Sequence, residues 1–311
     1  MSIAEVAQIF ELPFMSRALI GLVVLAVAAA IVGLFVNLRD LEFISDGLTH
    51  AVFPGLVVGY LVGGTSWILA GALGAALVGA VILTLVDRRR VGSDAGIAVV
   101  LASMFSIGVV LISRSDGYVA ELEQLLFGRL LTMTDVQLRQ IVIVAVLAVV
   151  VVGATARLQL FRAFDLRGYR AAGLRDLQVD IALNIAVALI VVAGSQAIGN
   201  LMVLALLILP VGTARLVTRK LVGIVPIAVV VAVVTAVVGL VAGFELSVSH
   251  GLALSPSAVV VLVMIAVYLV VLLTSQTWLW AARRGARRRA DSRAQNQTIG
   301  GVPGRTVQGA P

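Results

Sequence analysis

Ser45-Asp46-Gly47-Leu48-Thr49-His50-Ala51-Val52-Phe53-Pro54-Gly55 sets the terms for the rest of the chain. An acid and an imidazole stand four residues apart, a proline follows four later, and the apolar run continues through Gly59 and Gly63. Residues four apart share a helix face, so the Asp46 carboxylate and the His50 ring point the same way. Ionisable groups inside a membrane helix are costly and line a pathway or a site rather than face lipid.

The surroundings are those of a membrane protein. The chain has 311 residues, of which 61% are hydrophobic and only 13% charged, and its mean hydropathy is +1.12. A soluble domain carries roughly 25% charged residues. Apolar runs of about 20 residues recur, each long enough to cross a bilayer. We therefore expect an all-α polytopic membrane protein, a bundle of eight or nine transmembrane helices in one domain over residues 1–280. A basic tail, 281–311, is expected to be disordered. No cysteine is present, which excludes disulfides, zinc-thiolate sites and iron–sulfur clusters. The formal charge of +7 reads as loop arginines that set orientation, not as a nucleic-acid surface. The first apolar run, from Ala18, lacks a basic flank and a small-residue cleavage site, and is expected to be a retained span.

In order, spans are predicted over Ala18–Val36, Glu42–Val62 and Trp67–Val86. A fourth ends at Ile112, and a fifth covers Gln140–Ala156. Ile181–Ala197 is the sixth, and a seventh apolar stretch carries Pro210 and Gly212. Leu221–Ala242 and Ala258–Ser275 complete the set. Arg88–Arg90, the loop Arg157–Asp180 with five arginines, Arg215–Lys220 and the tail fall on one side if the spans alternate. The positive-inside rule makes that side, and the C-terminal tail, cytoplasmic. Nine crossings put the N-terminus outside; eight result if Gly199–Pro210 is re-entrant. Gly55, Gly59 and Gly63 allow another helix to approach the second span closely, holding the acid and imidazole in place. Gly71, Ala75 and Gly79 read as general membrane packing. Glu245 and His250 fall in a polar stretch, Phe244–Ser257, expected to be a loop rather than a source of ligands.

A carboxylate and an imidazole one turn apart offer one oxygen and one nitrogen to a divalent metal, suiting zinc or manganese. One helix supplies only two ligands; a two-fold pair of chains would supply four. A proton relay and a structural hydrogen-bonded pair are the other readings of the same residues. No His-Glu-x-x-His, Gly-x-Ser-x-Gly or phosphate-binding Walker A loop is present, so any ATP hydrolysis belongs to another chain.

From about Phe14 to Leu273 the sequence resembles the membrane subunits of ABC-type zinc/manganese (and iron) importers. The likeness is strongest from Phe43 to Gly55, where that family has an Asp-x-x-Ser-His-Ala core followed by Pro-Gly. It continues in Ser93-Asp94-Ala95-Gly96-Ile97, Leu126-Phe127-Gly128, Leu206–Arg215 with Pro210 and Thr213-Ala214-Arg215, and Leu254–Leu262. Thr49 replaces a usual serine, and Ser255 and Ser257 stand where prolines or small residues are common. The resemblance implies a permease without an ATPase of its own, in the cytoplasmic membrane of a bacterium. It implies a second permease copy, an extracytoplasmic metal-binding protein and a cytoplasmic ATPase engaged through loop 157–180, around the small-residue break at Gly173. Asp46 and His50 become the metal-contacting pair, the transported zinc or manganese is cargo rather than a resident cofactor, and ATP binds only the partner. A proton-coupled secondary transporter with Asp46 and His50 as its relay is the rival; an intramembrane enzyme lacks a nucleophile or a complete metal set.

Overall fold

The computed structural model describes residues 10–88, 93–113, 128–195, 197–250 and 255–276, and every regular element among them is helical. The long helices are α1 (Pro13–Leu38), α2 (Glu42–Gly63), α3 (Ile68–Asp87), α4 (Ser93–Ile112) and α5 (Asp135–Phe164). A short α6 (Leu166–Ala171) follows, then α7 (Asp176–Ser195), α8 (Asn200–Val217), α9 (Leu221–His250) and α10 (Pro256–Gln276). Nine of these are long and apolar enough to cross a membrane among the described residues. The expectation of an all-α polytopic bundle is met. Chain contacts divide the molecule into two units at Tyr268/Leu269, inside α10.

The sequence of α1 is apolar on every side, and such a helix belongs in the interior. It packs against α2, α5, α7, α8 and α9, with Leu22, Leu25, Ala29 and Val32 fully buried. The other deeply buried helix, α7, lies against α3, α5 and α2. Pro13 opens α1, where a missing amide proton costs nothing. A reciprocal Thr134–Gln137 capping box starts α5.

Two expectations about helix ends are corrected. The fifth span does not stop near Ala156: α5 continues to Phe164, since Arg157–Phe164 contains neither glycine nor proline. Nor does Phe244 begin a loop, because α9 runs unbroken to His250. Residues 244–250 likewise hold no breaker until Gly251, so Glu245 and His250 are helical. Pro210 lies inside α8 without ending it. The tail from 281, and Leu126 and Phe127, lie outside the described residues.

The glycine steps on α2 and α3 face each other. A Cβ on Gly55 would sit 2.3 Å from Ala75 Cβ and 2.4 Å from the Gly71 carbonyl oxygen. One on Gly71 would meet the Gly55 carbonyl oxygen at 2.2 Å, and one on Gly79 would meet Ala51 Cβ at 2.8 Å. The stripe on α3 is therefore the specific counterpart of α2, not generic packing.

Candidate functional site

Asp46 and His50 lie one turn apart on α2, with His50 Nε2 3.7 Å from Asp46 Oδ1. That gap is too long for a hydrogen bond. Two ligands each about 2.1 Å from one ion at the tetrahedral angle stand roughly 3.4 Å apart, so the pair needs only a small adjustment to share a cation. Their side chains are 34% and 26% exposed, whereas Ser45, Leu48, Thr49, Ala51, Val52 and Phe53 around them are buried. Phe43, Asp46, His50 and, beyond Pro54, Val58 form the open side of α2.

Three helices set the orientation of this pair. From α4, Phe105 meets the imidazole edge-on, with ring centroids 5.3 Å apart and planes at 90°. Phe105 is itself stacked on Phe53 of α2, at 5.6 Å and 29°. Gly108 makes room for that stack, since a Cβ there would lie 2.1 Å from Phe53 Cδ1. From α8, the buried Asn200 donates its amide to the Thr49 carbonyl at 3.4 Å. The Thr49 hydroxyl donates to the Asp46 carbonyl at 2.7 Å, a bond that serine in its place makes equally well. Pro54 removes the amide proton that would have bonded the His50 carbonyl.

A second polar centre lies toward the arginine-rich end. Asp180 of α7, with its side chain 6% exposed, accepts from Arg39, from Arg88 at 3.1 Å and from Arg162 at 2.8 Å. Arg39 also donates to Gln159 at 2.8 Å, and the Gln159 amide donates to the Val179 carbonyl at 2.8 Å. Burial lowers the Arg39 guanidinium below the ordinary arginine value while Asp180 pulls it back up; arginine stays charged throughout. Beneath it, α6 is held by the buried Tyr169, whose ring lies 5.6 Å from Phe161. Arg170 pairs with Asp176 at 2.8 Å. Burial, reinforced by the negative charge of Asp176, raises the Tyr169 phenol. Gly173, at φ +73°, ends the segment after α6 rather than interrupting a helix.

The structure brings Asp46 and His50 together as their spacing predicts, while the neighbours Phe105, Phe53 and Asn200 and the Asp180 centre were not singled out from the sequence. No described group of three or more histidine, cysteine or acidic residues is placed to hold a metal, so among the described residues two candidate ligands come together and no third.

The sequence profile of the ABC 3 transport family matches residues 11–275. The manganese transport system membrane protein MntC of Halalkalibacterium halodurans is 27% identical over 82% of this chain and 85% of its own length. The chelated iron transport system membrane protein YfeD of Yersinia pestis is 31% identical over 69% of this chain and 72% of its own. Among solved structures, PsaBC from Streptococcus pneumoniae in complex with Fab shares the fold, with a TM-score of 0.76. It is 24% identical and covers 87% of this chain and 95% of that one.

Proposed function

The chain belongs to the ABC 3 transport family, and on that premise we propose that it is the permease subunit of an ATP-driven importer of a divalent metal ion, zinc, manganese or ferrous iron. The observation that carries this reading is the Asp46–His50 pair, held 3.7 Å apart on the open side of α2 among buried neighbours. Polar groups there do not face lipid without cost. A second copy of the chain, applied about a two-fold axis, would cover that side and complete a set of two carboxylates and two imidazoles. Such a mixed oxygen and nitrogen set suits the borderline divalent ions, and its incompleteness in one chain suits passage rather than storage. The names of the manganese and chelated-iron relatives support metal as cargo.

The direction of work follows from the same reading. An extracytoplasmic binding protein delivers the ion, Asp46 and His50 contact it in transit, and a cytoplasmic ATPase drives alternating access through α6, since the expected loop 157–180 is mostly helical, formed by the end of α5, α6 and the start of α7. The C-terminal tail then lies in the cytoplasm. The proton-relay alternative has no observation in its favour. Asp46→Ala and His50→Ala, scored for uptake of each metal in cells at normal protein levels, test the assignment. Uptake should fall by at least the roughly 10–100-fold that loss of a mere outer-shell partner costs a metal site. Undiminished uptake in the double variant would falsify it.

A further inference from the structure

The Asp180 centre is an expensive thing to bury. Three guanidiniums converge on one carboxylate, with Asp87 also within electrostatic reach of Arg39. Nε of Arg39 and Nε of Arg162 are buried and find no acceptor among the described residues. Buried ion pairs are weak devices for stability, since apolar residues of similar volume often do as well or better. Buried donors left unpaired call for an explanation of their own.

What the centre joins supplies one. Arg162 sits in the last turn of α5, next to Phe161, on which α6 rests through Tyr169. Asp180 is in the second turn of α7, which α6 leads into through the Arg170–Asp176 pair. Arg88 caps α3. Arg39 lies in the link between α1 and α2, beside Asp40, whose φ of +53° is rarely adopted by a side-chain-bearing residue. Asp46 follows Arg39 by seven residues, about two helical turns. One carboxylate thus ties both flanks of α6 to the start of the helix that carries Asp46 and His50.

We infer that Asp180 is a positioning residue: through Arg162 and Arg39 it transmits displacement of α6 to α2, and so to the Asp46–His50 pair. This rests on the proposed function, in which α6 is the element a partner ATPase moves. The two unpaired Nε groups give the arginines room to change partners without first breaking every bond they hold. The clustering of the arginines about a single acid makes the linkage depend on that acid's charge rather than on packing alone.

The test uses the assembled transporter, permease with ATPase and binding protein, in proteoliposomes loaded with manganese or zinc. Asp180→Asn should leave ATP hydrolysis within about twofold while metal moved per ATP falls about tenfold, with Asp180→Glu recovering most of the ratio. A wild-type ratio in Asp180→Asn, or parallel loss of hydrolysis and transport, overturns the inference. If Asp180→Asn does not assemble, Arg39→Lys keeps the charge and loses the forked geometry, and the same two outcomes apply to it. A second readout is independent of transport. The chain has no cysteine, so Phe43→Cys on the open side of α2, three residues before Asp46, reports by its alkylation rate whether that end of α2 moves when ATP binds the partner. That ATP-dependent change should be present in the parent and absent with Asp180→Asn; its survival overturns the linkage. A wild-type complex that moves no metal sinks the proposed function instead, and the alkylation arm still decides the role of Asp180.

Discussion

At the scale of single residues, the imidazole of His50 owes its orientation to a neighbour that carries no polar chemistry. The edge of Phe105 against His50 is worth about 0.5–1.5 kcal/mol beyond simple burial. Phe105→Ala should therefore weaken manganese or zinc binding by about 2- to 12-fold without lowering the amount of protein in the membrane. Titration of the purified permease against either metal checks this, and unchanged affinity would remove Phe105 from the site. Asp46 and His50 were legible from their spacing because helix geometry brings fourth neighbours together wherever a helix forms. The Asp180 centre was not legible, since Arg39 and Arg88 lie 141 and 92 residues away in sequence and only the folded bundle makes them neighbours. Phe105 was hidden for the same reason, an aromatic residue in an apolar run giving no sign of which ring it will meet.

At the scale of elements, α2 and α3 are fitted backbone to backbone, and the sequence announced that each would pack closely without saying on what. Gly55→Ala places a methyl group against Ala75 Cβ and the Gly71 carbonyl, and should destabilise the protein by about 1–3 kcal/mol through forced separation of the helices. Gly74, on the same helix as Gly71, is exposed and would meet nothing within 4 Å. Gly74→Ala should be neutral or gain up to about 1 kcal/mol from helix propensity. Thermal unfolding of the two variants in one detergent compares them directly, and similar midpoints would contradict the glycine contact. Helix ends were the least legible feature. The polarity of Arg157–Phe164 and of Phe244–His250 reads as loop, yet both stay helical for want of a breaking residue, the helix outlasting the apolar run that identified it.

Two expectations belong to the whole molecule. If two copies meet across the open side of α2, Phe43→Cys, 41% exposed there, should form a cross-link between copies under mild oxidation. No competing thiol exists in the chain. A dimer band on a non-reducing gel is the expected result; a band absent from functional transporter would place the paired surfaces elsewhere. On the arginine-rich side, Gly173→Pro both forbids the φ of +73° and removes the amide proton that bonds the Arg170 carbonyl at 3.0 Å. The variant should lose most of its association with the ATPase while the membrane helices keep their stability, as copurification and thermal unfolding would show. Intact association would count against α6 as the contact.

Pro54 divides α2 into two lengths with different moorings. Beyond it, Gly55 and Gly59 are wedged against Gly71 and the Trp67 carbonyl, a junction with no slack. Before it, Asp46 and His50 are secured by a ring edge, one long amide contact and the charges near the helix start. With one rung missing, the helix bends most readily at the proline, so on the proposed linkage a push arriving at Arg39 would tilt the two side chains while the far end stays anchored. The chain thereby has the makings of a lever whose pivot sits one turn past its load.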